Sequence, residues 1–194
     1  GCVIPGGAES MTAVPMMGHK VVGSRNIMDN SPVFYLGMGM TAENVAKDFN
    51  ISREDQDKFA VTSHQKAAAA VAAGHFKDEI VPVTATFRTP GENGNVEVNS
   101  IQFDADEGIR ADTSVEGLAK LRTPFLTGGS VTAGNTSQMT DGAGFCLVCS
   151  EDYVKKNNLT PIARLASFSV AGVAPRIMGI GPTKRFQKPV RKLA

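Results

Sequence analysis

Cysteine is scarce in this chain. Three thiols in 194 residues are an odd number, far below the density of a disulfide-stapled scaffold, which points to a reducing compartment. An excess of charge is missing too: twenty Lys and Arg against nineteen Asp and Glu leave a formal net charge of +1. So even a balance gives no electrostatic basis for nucleic acid or an acidic membrane as the main partner. No apolar run nears the ~20 residues that a membrane-spanning helix needs. The opening "GCVIPGGAES" has neither the basic start nor the apolar stretch of a secretory signal. Repeats of solenoid period are absent, as are a Walker A loop and a G-x-G-x-x-G fingerprint. The expectation is a soluble intracellular globular chain, with one sizeable core or a domain plus part of another.

What is there begins with the ends. "GCVIPGG" reads as the end of a short strand running into a glycine turn, and "MGIGPTKRFQKPVRKLA" as the start of a loop and helix. Both look cut from something longer. Residues 9–37 carry many turn formers and no sustained period, which predicts a long surface loop. "TAENVAKDFN" predicts a helix with Thr41 as N-cap and Glu43 in its first turn, where the helix dipole favours a carboxylate. Ser52 and Asp55 have capping-box spacing ahead of "KAAAAVAA", and Gly74 stands where a left-handed cap belongs. "EIVPVTATF" and "VEVNSIQF" predict two strands joined by the turn "TPGENGN". Thr113 and Glu116 predict a second capping box, on a short helix limited by Pro124. "GAGFCLVCS" is apolar at nearly every position and predicts a strand buried on both faces. Ser150 then caps a helix over "EDYVKKNN", and "PIARLASFSVAGVAP" is a further strand candidate. Strand, helix and strand over 143–173 suggest part of a layered α/β core, and the preceding ~130 residues an inserted subdomain.

The candidate chemistry is thin. Cys146 and Cys149 form a C-x-x-C, but inside the apolar strand, with Cys2 at no helpful spacing, so structural thiols and no metal site are expected. His19, His64 and His75 have no nucleophile at a motif spacing. "KRFQKPVRK" carries five basic residues and fits either a solvated helix face or a polyphosphate contact. The loop "GGSVTAGNTSQMTDGAG" (128–144) stands apart. Ser130, Thr132, Asn135, Thr136, Ser137, Gln138, Thr140 and Asp141 supply short donors and acceptors, and its glycines admit close backbone approach. It suits an extended, amide-rich, neutral ligand, or a turn that satisfies its own backbone.

Taken together and in order, "GGAESM", "GMGMTAENVA", "ISREDQDKFAVTSHQKA", "EIVPV", "DEGIRADTSVEGLAKLRTPF", "GGSVTAGNTSQMTDGAG" and "MGIGP" closely resemble the thiolases, specifically the degradative 3-ketoacyl-CoA thiolases (acetyl-CoA C-acyltransferases). The resemblance covers essentially the whole chain, as a central segment of the family. It implies an α/β chain: a partial thiolase fold, with a layered α/β/α core and an inserted α+β loop domain that covers CoA. Residues 1–10 would then be the end of a core strand and 11–139 the loop domain. The last strand and helix of the N-terminal half would occupy 140–160, and the start of the C-terminal half 161–194.

Roles implied by the resemblance fall on six residues. Ser137 matches a serine that hydrogen-bonds the pantetheine arm, with Ala133 and Gly134 beside it. Phe125 matches a residue near the nucleotide end, Arg110 an arginine at the adenine-nucleotide region, and Met38 a position near the acyl pocket. Gly37 and Gly117 depart from the biosynthetic pattern, which has a histidine and a serine there. The ligand implied is CoA or acyl-CoA as substrate, with no prosthetic group. The parent implied is a homodimer or homotetramer in bacterial cytoplasm, or in the mitochondrial or peroxisomal matrix of a eukaryote.

The family's chemistry needs a nucleophilic cysteine upstream of "GGAESM", a G-H-P histidine and a second cysteine in a glycine-rich C-terminal motif. None of these motifs occurs in the 194 residues, so the chain by itself is expected to be inactive. Two alternatives stay open. One is a non-catalytic CoA-binding or oligomerisation module, the other a biosynthetic acetoacetyl-CoA thiolase.

Overall fold

The computed structural model describes residues 1–16, 18–186 and 191–192. It shows a mixed α/β chain that divides into two compact units. The side chains of the basic stretch 184–192 lie outside the described residues.

The first unit comprises residues 1–51, 125–131 and 137–194. Its strands β1 (Cys2–Val3) and β2 (Gly6–Glu9) run along one edge of an antiparallel ribbon. Along the other edge run β5 (Gly142–Phe145) and β6 (Val148–Cys149). One register holds throughout, with Cys2 opposite Cys149 and Gly6 opposite Phe145. The ribbon breaks into two ladders at Pro5, which accepts from the Cys146 N–H at 3.1 Å but has no N–H to return. The turn expected at Gly6 and Gly7 is therefore strand. A Cβ at Gly6 would collide with the ring of Phe145. The predicted burial of "GAGFCLVCS" is not observed: Phe145, Leu147, Val148 and Cys146 are exposed. Its described sheet partners are these two short strands alone.

Asp141 ties the loop after β2 to the entry of β5. Its carboxylate accepts from the Ser10 hydroxyl at 2.9 Å and the Thr12 N–H at 3.1 Å. The predicted loop over 9–37 contains a short helix, α1 (Arg25–Asn30), and a 3₁₀ turn over Pro32–Tyr35. Tyr35 stabilises the entry to α1, its hydroxyl accepting from the Ser24 N–H at 2.8 Å.

Helix α2 (Met38–Asp48) begins four residues earlier than expected, with Gly37 as N-cap. Thr41 lies inside it and donates its hydroxyl to the Met38 carbonyl at 2.8 Å. Buried Gly39, Thr41, Glu43 and Ala46 mark the face that α2 turns inward. The helix packs on a 3₁₀ segment, Pro175–Ile180. Asn44 Nδ2 donates to the Arg176 carbonyl at 3.1 Å, and Arg176 pairs with Asp48. Farther along, α5 (Glu151–Lys156) follows the expected pattern: Ser150 caps it, acids open it and lysines close it. The strand candidate 161–175 contributes only β7 (Ser167–Phe168), paired with β8 (Arg191–Lys192). Helix α6 (Gly181–Phe186) carries Pro182 in its first turn.

The second unit comprises residues 52–124 and 132–136. Helix α3 (Arg53–Ala72) has the expected start, with Ser52 accepting from the Asp55 N–H at 3.1 Å. Gly74 ends it at φ +75°, a conformation only glycine adopts without strain. The hairpin of β3 (Val83–Pro90) and β4 (Val96–Phe103) is fully paired, Val83 opposite Phe103 and Pro90 opposite Val96. Helix α4 (Val115–Ala119) is capped by Ser114, one residue later than the pattern suggested. Its Leu118 is buried where α4 packs on α3. Among the described residues, no helix is long and apolar enough to cross a membrane.

Two outcomes are expected from these elements. Ser52→Ala removes the cap of the longest helix and costs about 1 kcal/mol in a denaturant titration. The Ser10 hydroxyl and then the Thr12 N–H hold the Asp141 carboxyl below the ordinary aspartate value of 3.8. The native state thus favours the carboxylate, so the clip contributes fully above that value and is lost as pH falls through the lowered one. Asp141→Asn should flatten this part of the acid limb, and NMR titration of the carboxyl carbon should read the lowered pKa directly.

Candidate functional site

A loop of glycine, serine, threonine and asparagine has almost no apolar surface with which to fix itself. The two halves of segment 128–136 are each held instead by a buried carboxylate. In the first unit Glu43, on α2, is 5% exposed. Its carboxylate accepts from the backbone N–H of Ser130 at 2.9 Å and of Val131 at 2.8 Å. The Ser130 hydroxyl adds a third donor at 3.0 Å. Gly128 starts this turn at φ +69°, and a Cβ at Gly129 would run into the Glu43 carboxylate. Val131 is buried beside it.

In the second unit Asp57, on α3, is 1% exposed. Arg53, one turn earlier, donates Nε to its Oδ2 at 2.7 Å. The same guanidinium donates Nη2 to the Leu118 carbonyl at 2.6 Å, gripping the end of α4. Asp57 Oδ1 accepts from Asn135 Nδ2 at 3.0 Å, and Asn135 Oδ1 in turn accepts from the Thr132 N–H at 2.8 Å. Thr132 is fully buried. Its hydroxyl accepts from the Gly134 N–H at 3.2 Å, and its carbonyl from the Thr136 hydroxyl at 2.9 Å. Gly134 passes so close to Leu118 and Leu121 that any side chain there would strike them. The result is a pre-shaped, narrow backbone turn with buried polar groups satisfied, as interior polar groups must be.

Each residue singled out in the sequence has a definite place. In the first unit Met38 is the first residue of α2 and half exposed. Phe125 lies with its ring against Gly39, which has no room for a Cβ, and is itself 45% exposed. Ser137 is exposed, its hydroxyl donating only to the adjacent Gln138 carbonyl at 3.3 Å. In the second unit Ala133 is exposed at the crest of the turn and Gly134 half-buried beneath it. Arg110 is exposed, and its backbone N–H donates to Nδ1 of His64 at 3.2 Å. Within the first unit Met38 and Phe125 flank Gly39; within the second, Ala133 and Gly134 share the Asp57 turn.

Sequence reasoning missed what holds these residues. Glu43 reads from the sequence as a dipole partner at a helix start, yet it is a buried acceptor in mid-helix. Asp57 carried no flag, although Arg53 and Asp57 stand four apart and Val61, four further on, is buried. A carboxylate on a helix's apolar stripe was the available signal. Histidine 64 likewise serves Arg110's backbone rather than standing idle. Among the described residues no cluster of His, Cys, Asp and Glu could hold a metal ion. An open cleft in the second unit, between Phe76, Glu79, Val81, Phe103, Asp104 and Asp106, contains none of the six residues singled out in the sequence.

Comparison with known proteins sets this geometry in a family. Residues 1–152 match the family model of the thiolase N-terminal domain. The chain belongs to the thiolase family. It is 45% identical over 188 residues to the 3-ketoacyl-CoA thiolase of Bacillus subtilis, covering 97% of this chain and 48% of that protein. It is 42% identical over 201 residues to the acetyl-CoA acetyltransferase of Paracoccus denitrificans, covering 98% and 49%. Human mitochondrial 3-ketoacyl-CoA thiolase, solved in complex with CoA, superposes at a TM-score of 0.73 with 38% identity over 95% of this chain and 47% of that one. The chain thus spans about half the length of the relatives it matches.

The two carboxylate anchors make separable predictions. Asp57→Ala leaves the partly buried Arg53 and Asn135 without their shared acceptor and should cost about 2–3 kcal/mol in denaturant unfolding. Glu43→Gln puts an amide N–H where backbone donors point and should cost roughly 1–3 kcal/mol. Hydrogen exchange should rise at Thr132 and Gly134 in the first variant, and at Ser130 and Val131 in the second.

Proposed function

We propose that this chain is the CoA-handling segment of a degradative thiolase, whose whole enzyme cleaves 3-ketoacyl-CoA with CoA to acetyl-CoA and a shortened acyl-CoA. The observation that carries the reading is the pre-shaped turn 132–136 of the second unit. It presents Ala133 and Gly134 as small groups that let the amide-rich pantetheine arm lie close, and Ser137 follows in the chain with an exposed hydroxyl. In this reading the Ser137 hydroxyl hydrogen-bonds that arm while Ala133 and Gly134 let it lie close. Phe125 and Arg110 meet the nucleotide end, where an exposed ring and a planar cation can stack and pair with phosphate. Met38 borders the acyl pocket. CoA thioesters are substrates here, and no prosthetic group takes part.

In this reading residues 11–139 form the loop domain over CoA. Residues 1–10 and 140–160 belong to the N-terminal half of the core, and 161–194 begin the C-terminal half. The nucleophilic cysteine, its histidine and the proton-transferring cysteine belong to other parts of the whole enzyme, so the 194-residue chain binds without turning over. The hairpin β3–β4 leaves Val83, Val96, Val98 and Ile101 exposed, which fits a homodimer or homotetramer in the whole enzyme. The setting is a cytoplasm or an organelle matrix where acyl-CoA chains are degraded. A biosynthetic acetoacetyl-CoA thiolase is the second reading, favoured by the likeness to an acetyl-CoA acetyltransferase.

Calorimetric titration of the chain with CoA tests the binding reading, and a thiolysis assay with acetoacetyl-CoA and a long-chain 3-ketoacyl-CoA tests the rest. Saturable binding without turnover is expected. Loss of one hydrogen bond in Ser137→Ala should weaken binding about fivefold, and loss of the cation in Arg110→Ala about tenfold. Binding that neither variant changes would sink the residue assignment. Turnover by the chain itself would overturn its inactivity, and in the whole enzyme a preference for acetoacetyl-CoA would favour the second reading.

A further inference from the structure

The antiparallel ribbon of the first unit brings together two thiols that are 147 residues apart in the chain. Cys2 and Cys149 are direct cross-strand partners. On one side of them the Ser150 N–H donates to the Gly1 carbonyl at 2.9 Å, and three pairs further on the Cys146 N–H donates to the Pro5 carbonyl. Hydrogen-bonded and open pairs alternate along an antiparallel ladder, so Cys2 and Cys149 occupy an open pair, where Cα atoms are only ~4.5 Å apart and side chains face each other most closely. That spacing lies at the short end of the range a disulfide spans, roughly 4.4–6.8 Å between Cα atoms. The sulfurs are already 3.5 Å apart, Cys149 donating its S–H to Cys2. In the 194-residue chain Cys2 is exposed and Cys149 half-buried, so a small thiol reagent can reach the pair there.

The third cysteine is excluded by the same geometry. Cys146 and Cys149 are three apart on one extended strand, hence on opposite faces and roughly 10 Å apart. The C-x-x-C visible in the sequence therefore cannot close while the strand is formed. The pair that can close is the one the sequence spacing hides.

We propose that Cys2 and Cys149 form a redox-sensitive dithiol, a modification site that glutathione disulfide closes to an intramolecular disulfide. The exposed Cys2 loses its proton to solvent, and its thiolate attacks one sulfur of glutathione disulfide. A mixed disulfide forms and one glutathione thiolate leaves. Cys149 then gives up its proton and attacks the Cys2 sulfur, expelling the second glutathione. Two protein thiols are oxidised and one glutathione disulfide is reduced to two thiols, so atoms and electrons balance. Partial burial, and next the hydrogen bond to Cys2, push the Cys149 thiol above its ordinary pKa. Cys149 therefore attacks second, once the mixed disulfide lies beside it, and its thiolate, once formed, is the more nucleophilic for that higher pKa. The closed bridge would staple the start of the chain to the strand that continues from the loop 128–141, and hold the ribbon in register.

The test uses the 194-residue chain, folded, incubated with glutathione disulfide, then denatured, alkylated with iodoacetamide and weighed intact. The expected product has lost the mass of two hydrogen atoms, carries a single label on Cys146, and yields on digestion a peptide pair joined through Cys2 and Cys149. Dithiothreitol should restore three labelled thiols. Cys146→Ser should close equally well, and the closed form should melt at a higher temperature than the reduced form, because the crosslink restricts the unfolded chain. Persistent mixed disulfides with glutathione, a bridge involving Cys146, or bridges only between two chains would each overturn the proposal. None of these outcomes depends on whether the chain binds CoA.

Discussion

A segment built from glycine, serine, threonine and asparagine can hold a shape only if something else supplies its hydrogen-bonding partners. In this chain two buried carboxylates do so. Glu43 accepts from the backbone of Ser130 and Val131, and Asp57 holds the turn 132–136 through Asn135. Both acids sit on helices, so each part of the loop inherits the rigidity of a helix. Interior carboxylates are unfavourable unless fully partnered. The arrangement therefore tolerates little drift in either partner, and a flexible composition becomes a defined surface.

Arg53 extends that logic within the second unit. Its guanidinium uses Nε for Asp57 and Nη2 for the carbonyl at the end of α4. One planar side chain thereby links the longest helix, the shortest helix and the turn. Leu118 and Leu121 fill the space beneath Gly134, so the apolar contacts and the polar network support the same turn. The exposed side of that turn is left to small groups.

The ribbon of the first unit obeys a different constraint. A single register runs from Cys2–Cys149 to Glu9–Gly142, interrupted where Pro5 lacks a donor. Within it, pairing rather than burial organises the strands, and their apolar side chains stay exposed. Apolar composition alone suggested a strand covered on both faces, because hydrophobicity reports the burial a residue favours and not the layers available to cover it. Register also decides which thiols meet, and it joins Cys2 to Cys149 rather than Cys146 to Cys149.

Local chemistry was legible from the sequence wherever it acts over one or two turns. The Ser52 cap, the left-handed Gly74, the 83–103 hairpin and the Ser150 cap each depend on residues within a few positions of one another. The ordered motifs also led to the thiolase family, since long ungapped stretches preserve the residues a fold requires. Helix starts at Met38 and Val115 were misplaced because several capping residues compete there and packing selects among them. Glu43, Asp57 and the Cys2–Cys149 pair were invisible for a common reason. Their partners lie 87, 78 and 147 positions away, and only the folded chain brings such residues within hydrogen-bonding distance.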